Sequence, residues 1–127
     1  MLTRAQARKH MLAVKGISEG PYFDRPSAFY GEAFVGRVHD KEEAVVLRVG
    51  SIEMRDVMLE AEPKLFYITE HYRTWPGLLA RLSVLDGKTL KSLVLARIAE
   101  IEARAATKAA KKRAKKSAKA VVRKKKK

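Results

Sequence analysis

Apolar residues recur at the three- and four-residue spacing of an amphipathic helix in three stretches of the chain. These helices are expected to begin after Thr3, Ser51 and Asp86, since each residue is of a type that caps helix N-termini. Thr3 also forms a capping box with Gln6, three residues on. The expected buried faces comprise Ala7, Met11 and Val14 in the first helix, Met54, Val57, Met58 and Ala61 in the second, and Leu90, Val94, Ile98 and Ile101 in the third.

Alternating residues, as in strands with one buried face, mark five further segments. They comprise residues 28–30, 32–39, 44–49, 65–68 and 78–84. Within residues 32–39 strict alternation places Phe34, Gly36 and Val38 on one face and Ala33, Val35 and Arg37 on the other. The pattern thus predicts an α+β fold in the order α-β-β-β-α-β-β-α, with helices packed on one face of an antiparallel sheet of about five strands.

The segment from Ile17 to Ser27 is predicted to be a loop, because Gly20-Pro21 and Pro26 interrupt it. Its aromatic residues, Tyr22 and Phe23, are expected to close one end of the core, since a small domain needs its aromatic area buried. A binding rim is the alternative interpretation of the same residues.

The segment Phe66–Leu82 contains the single Trp, and its strands are joined by a long connector, Thr69–Gly77. Pro76 and Gly77 mark a turn there. Connectors longer than a tight hairpin often carry function. His71, Tyr72 and Trp75 are therefore candidate contacts for a ligand or protein partner.

The same region carries a resemblance, in the run ITEHYRTWPGLLARL and in the earlier segment EGPYFDRPSAFYGEAFVGRV. Both resemble segments of the MmcQ/YjbR family of small bacterial proteins, and the resemblance covers roughly Thr3–Arg104. It implies a double-wing, CyaY-like arrangement of helices on a curved antiparallel sheet. It also implies DNA binding, a label that rests largely on the fold, and it implies no catalytic residue.

The net charge of +14 is distributed very unevenly along the 127 residues. Residues 105–127 contain 12 of the 28 basic residues and no acidic residue, whereas residues 1–104 contain 16 basic and 14 acidic residues. We therefore predict one nearly neutral domain over residues 1–104, followed by a polycationic Lys/Ala tail. The tail is expected to be disordered or partly helical, because like charges four residues apart oppose the helix that Ala and Lys favour.

The tail is the strongest functional signal, because a run of cations neutralises phosphates and releases counterions. We expect non-specific binding to DNA, with RNA left open. Attraction to an anionic membrane surface, and a role in solubility or targeting, are the alternatives; the tail has no apolar face to insert into lipid. The expected contacts are Lys108, Lys111, Lys112, Arg113, Lys115, Lys116, Lys119, Arg123, Lys124, Lys125, Lys126 and Lys127.

A second basic surface is expected on the sheet. Arg37, Arg48 and Arg81 each alternate with core positions, so all three are predicted on one exposed face, joined by Arg73 of the connector. With Tyr72 and Trp75 they would combine phosphate contacts with rings for base stacking. Ordinary solvated strand faces are the alternative, since single Arg residues are common there.

Catalytic signatures such as GxSxG, GxxxxGK[ST] and HExxH do not occur, and the chain has no Cys. We expect no enzyme, no metal and no cofactor, although a pocket gathering Glu70, His71 and Tyr72 against residues 22–25 would indicate one. The sequence also lacks a signal peptide or a membrane-length apolar segment. The expected location is the cytoplasm.

Overall fold

The chain forms an α+β domain in which six antiparallel strands make one open sheet, accompanied by three helices. The computed structural model describes the backbone of residues 1–125 and the side chains of residues 1–109. The helices are α1 (Arg4–Leu12), α2 (Ile52–Ala61) and α3 (Gly87–Lys125). The strands are β1 (Ile17–Tyr22), β2 (Arg25–Tyr30), β3 (Ala33–Val38), β4 (Ala44–Arg48), β5 (Phe66–Tyr67) and β6 (Gly77–Arg81), in the spatial order β1-β2-β3-β4-β6-β5.

The predicted loop at Ile17–Ser27 is wrong, because β1 and the start of β2 form a hairpin there. Pro21 and Pro26 face each other across this hairpin. β1 is an edge strand, and β2 pairs with β3 only from Ala28 onwards. Neither proline therefore has to donate a backbone hydrogen bond to a strand outside this hairpin. The element order is therefore α-β-β-β-β-α-β-β-α, with six strands in place of about five.

The main core lies between the sheet and the helices, and most of the predicted helix faces form it. Ala7, Met11 and Val14 of the first helical face are buried there, as are Leu90, Val94 and Ile98 of the third. The N-caps are also confirmed. The Thr3 capping box is complete, and the side chains of Ser51 and Asp86 accept hydrogen bonds from the backbone amides of Met54 and Thr89. From the sheet, Val45, Leu47, Leu78 and Ala80 point into the same core.

The predicted face of α2 is wrong by about one residue. Met54 and Val57 are 50% and 62% exposed, whereas Arg55 is only 5% exposed. Met58 and Leu59 pack at the margin of the main core instead. The physical reason is that the Arg55 guanidinium has buried partners outside the helix, so the side of α2 that carries Arg55 is the side that faces the protein.

Strict alternation also fails in β3, where the register against β2 shifts between Ala28 and Phe29. Ala28 pairs with Gly36 and Phe29 pairs with Phe34, which leaves Val35 as the extra residue of a bulge. As a result Val35 and Val38 both contact the main core, while Phe34 contacts the rings on the opposite face.

The helix α3 extends to Lys125 and so includes most of the tail that was expected to be disordered or partly helical. Ala and Lys have high helix propensity, and adding turns to an existing helix requires no new nucleation. The part of the tail from residue 105 to 125 is therefore assigned to the same helix that packs against the sheet.

Candidate binding site: a groove on the second face of the sheet

The face of the sheet opposite the helices is covered in part by the connector. A short 3-10 helix, Glu70–Tyr72, places Tyr72 against a second apolar cluster formed by Ala44, Val46 and Leu79. These residues alternate along β4 and β6 with those of the main core. Tyr72 is only 7% exposed, so this ring is part of the packing and is not a free surface contact.

Arg55 fixes the connector in place and was missed by the sequence analysis. Its Nη1 donates to the carbonyl oxygens of Tyr72, Arg73 and Trp75 at 3.1, 2.9 and 3.1 Å. Nη1 carries two N–H groups, so at least one of them is shared between two of these oxygens, while Nε and Nη2 donate to the Asp56 carboxylate at 3.1 and 2.9 Å. The signal available in the sequence was the position of Arg55, which lies three residues before Met58 and therefore on the same face of α2 as that apolar residue.

Aromatic rings form a continuous row from the first hairpin to the connector. The Tyr22 ring lies 4.7 Å from Phe23 and 4.6 Å from Phe34, between ring centroids. The row continues from Phe34 to Trp75 at 6.0 Å and from Trp75 to Tyr72 at 5.8 Å. The Trp75 ring lies over Gly77, where a Cβ would collide with it, which explains the Gly at this position.

The row of rings forms one side of a groove of about 620 Å³. Three cationic side chains, Arg25, Arg37 and Lys41, line it together with His39 and Asp40, and His71 lies at its connector end. Arg25 forms an ion pair with Asp40, and the hydrogen bond from Arg25 lowers the pKa of the Asp40 carboxyl. Arg37 is 14% exposed in its side chain and donates to the Tyr72 hydroxyl at 3.5 Å.

His39 is held in a defined orientation at the polar side of the groove. Its Nδ1 accepts the backbone N–H groups of Lys41 and Glu42 at 3.0 and 2.9 Å. Burial and, secondarily, the Arg37 charge lower the pKa of the His39 imidazole. The ring is therefore neutral near pH 7, with its proton on Nε2.

The structure brings together only some of the predicted site residues. Arg37, His71, Tyr72 and Trp75 all line the groove. Arg73 lies outside it, with an exposed ion pair to Glu70 at 3.1 Å. Tyr22 and Phe23 were expected to close one end of the core, with a binding rim as the alternative. Phe23 is 83% exposed, so the interpretation as core is wrong for that ring.

The register places Arg37, Arg48 and Arg81 on one face of the sheet, as predicted. They do not form one exposed basic surface, because all three are partly buried and two of them lie far apart. Arg81 pairs with Ala44 and Arg48 pairs with Gly77, so these two residues lie at opposite ends of the β4–β6 ladder. Arg81 stacks on the Tyr67 ring at 4.5 Å and donates to the carbonyls of Pro63 and Lys64. Arg48 lines a separate cavity between β4 and helices α2 and α3.

The pocket named above as a sign of an enzyme is present in part. His71 and Tyr72 meet Tyr22, Phe23 and Arg25 across the groove, but Glu70 does not line it. Within residues 1–109, no three side chains of His, Asp or Glu are grouped so as to hold a metal ion.

Of the predicted tail contacts, Lys108 is exposed on α3, and the other 11, from Lys111 to Lys127, lie outside the described side chains. In the part of the chain that the structure describes, no helix is both long and apolar enough to cross a membrane. Comparison of the chain with protein-family models, with curated proteins and with solved structures found no match. Membership of the MmcQ/YjbR family therefore stays a prediction from the two quoted segments.

Proposed function

We propose that the protein binds nucleic acid, preferentially DNA, without sequence preference, and that residues 105–127 supply most of the affinity. One observation carries the proposal: this segment contains 12 basic and no acidic residues, whereas the preceding domain is nearly neutral. Contacts to phosphates by Lys and Arg give affinity without reading base sequence. The resemblance to the MmcQ/YjbR family and a cytoplasmic location belong to the same proposal.

The helix assignment adds a physical connection between the two parts. Because α3 packs against the sheet through Leu90, Val94 and Ile98 and extends to Lys125, the cationic segment continues from the domain without a flexible linker up to that residue. Binding of the segment to a phosphate backbone would therefore bring the domain close to the same nucleic-acid molecule.

The test is fluorescence anisotropy with a short labelled duplex at moderate salt, comparing the full chain with residues 1–104. The main core ends at Ile101, so the shortened chain retains every residue of that core. We expect affinity to fall by roughly 100-fold or more on truncation, because most phosphate contacts are lost. Unchanged affinity would contradict the proposal.

A full-length variant with residues 105–127 in scrambled order is the matched control. It retains the charge and composition of the natural segment, so non-specific electrostatic binding predicts an unchanged dissociation constant. A strong loss of affinity in the scrambled variant would show that residue order matters, which contradicts binding by charge alone.

A second candidate function is binding of a small ligand or protein partner through the connector, and the groove of about 620 Å³ favours it. This function predicts that Trp75→Ala, in a variant that still unfolds cooperatively, abolishes binding of a ligand other than nucleic acid. Retained binding in that variant would contradict it.

A further inference from the structure

We propose that the groove is a binding site for one unpaired nucleotide, with the base against Tyr22, Phe34 and Trp75 and the phosphate on Arg37 and Lys41. This assignment rests on the proposed nucleic-acid binding and extends it, since the tail would hold the backbone while the groove receives a base. A flat base joined through a sugar to a phosphate is present both in a nucleotide within a single strand and in a free nucleotide.

The arrangement of the rings favours an unpaired base. Phe34 is only 7% exposed and Tyr22 and Trp75 are half-buried, so these rings line the groove without projecting from the surface. A base within a duplex is already stacked on its neighbours and is not accessible to recessed rings. A base that is free of its partner can enter and stack, whatever its identity, since every base has a π-face.

The charges of the groove favour an anionic group next to that base. Three cationic side chains and one carboxylate line it, and the carboxylate of Asp40 already pairs with Arg25. Arg37 has only long contacts, at 4.0 Å to Asp40 and 3.5 Å to the Tyr72 hydroxyl. Among the described side chains no ion pair involves Lys41. A phosphate can therefore bind Arg37 and Lys41 without breaking a short ion pair.

Phe23 provides an independent indication that the groove has a ligand. Its φ is +51° and the φ of Asp24 is +62°, the pattern of a type I′ turn in which Asn and Gly are the usual residues. A bulky residue is rare in this left-handed region, and such strain is common at binding sites. The conformation holds an 83% exposed ring at the mouth of the groove, beside Tyr22.

The fluorescence of Trp75, the only Trp in the chain, gives a direct readout of base stacking. The full-length protein is titrated with a short oligothymidylate and with an abasic oligomer of the same length and charge, at a salt concentration high enough to weaken the tail contacts. We expect saturable quenching by the oligothymidylate and little change with the abasic oligomer, because only the former can stack.

A third titration with thymidine monophosphate identifies the source of the nucleotide. Quenching at similar concentrations would assign the groove to free nucleotides, whereas quenching by the oligomer alone would assign it to a single strand. Equal responses to the base-containing and abasic oligomers, with none to the monophosphate, would overturn the proposal.

Two pairs of variants test the residues. Phe23→Ala is expected to raise the dissociation constant from the quenching titration roughly tenfold, since the exposed ring at the mouth of the groove no longer covers the bound base. Leu95→Ala, which removes a 46% exposed apolar side chain of α3, is the control. Lys41→Gln is expected to weaken binding of the oligothymidylate, and Lys91→Gln, on α3, is its control. Equal effects of a groove variant and its control would contradict the assignment.

These results are separable from the proposed role of the tail. If truncation leaves duplex affinity unchanged while the oligothymidylate still quenches Trp75, the tail proposal fails and the groove remains. If truncation abolishes duplex binding while base and abasic oligomers behave alike, the groove proposal fails and the tail remains.

Discussion

The basic residues of the folded domain and those of the C-terminal segment have different surroundings. In the domain, guanidinium groups are engaged by the fold: Arg55, Arg81 and Arg97 donate to backbone carbonyls, while Arg8 and Arg25 pair with Glu19 and Asp40. Residues 105–127 contain no acidic residue with which to pair. The net charge of +14 thus combines cations that stabilise the domain with cations that are available, by composition, to an anionic partner.

The largest expected effect concerns Arg55. We expect Arg55→Gln to lower the free energy of unfolding by about 3 kcal/mol, because the charged hydrogen bonds that hold the connector are lost. The carbonyls of Tyr72 and Trp75 retain a backbone donor, whereas the Arg73 carbonyl accepts from Arg55. Duplex affinity, measured where the variant is folded, is expected to stay unchanged. Urea denaturation provides the measurement. Arg73→Gln is the control; its exposed pair with Glu70 contributes less than about 1 kcal/mol. Similar losses in the two variants would remove the distinction between buried and exposed arginines.

Neutralising part of the tail is expected to lower duplex affinity and to leave stability unchanged, the opposite of the result expected for Arg55. We expect duplex affinity to fall roughly tenfold, with no change in the urea midpoint, when four lysines of the tail are replaced together. The substitutions are Lys124→Gln, Lys125→Gln, Lys126→Gln and Lys127→Gln. The control changes four exposed lysines of the domain, Lys9, Lys64, Lys88 and Lys91, to Gln, and so has the same net charge. If the two quadruple variants bind equally, net charge and not its position determines the affinity.

The strain at Phe23 predicts a variant that gains stability and loses binding. Phe23→Asn is expected to raise the free energy of unfolding by up to about 1 kcal/mol, since Asn tolerates the left-handed conformation. The same variant is expected to weaken the quenching of Trp75 by oligothymidylate. Asp24→Gly relieves the neighbouring positive φ but retains the ring, so its quenching is expected to be unchanged. A loss of stability in Phe23→Asn would show that the ring serves the fold.

The smallest expected effect is a pH dependence of stability from His39. Burial lowers the pKa of this imidazole in the folded state, so the unfolded chain takes up the proton first as the pH falls below about 6.5. The urea midpoint is therefore expected to decrease between about pH 7.5 and about pH 5.5, and this decrease is expected to be smaller in His39→Asn. His71→Gln, which changes an exposed ring, is expected to retain the decrease. Identical slopes in all three proteins would exclude His39 as the source.

Local signals in the sequence predicted most of the helices and strands. The caps at Thr3, Ser51 and Asp86 depend on residues within three positions, and the structure shows all three. The wrong predictions concern positions whose structure depends on a residue that is distant in the sequence. Pro21 is tolerated because β1 lies at the edge of the sheet, and the exposed face of α2 follows from the bond between Arg55 and the connector. Neither arrangement can be read from a local pattern.

The groove was predictable only in fragments. His71, Tyr72 and Trp75 were singled out in the connector and Tyr22 and Phe23 in the first hairpin, but the two groups are about 50 residues apart in the chain. They meet because the bulge at Val35 turns Phe34 towards Tyr22 and Trp75. For Arg48 and Arg81 alternation predicted the shared face correctly, but it does not give the distance between two residues along the sheet or their burial.

The salt dependence of duplex binding tests the division between domain and tail most directly. Anisotropy titrations across a salt series would compare the full chain with a variant in which all 12 basic residues of 105–127 are Gln. Binding by the tail predicts a steep slope for the full chain, about −0.9 in log K per log salt for each phosphate contacted, and a shallow slope for the variant. Equal slopes and equal affinities in the two proteins would show that the domain, and not the tail, binds the phosphates.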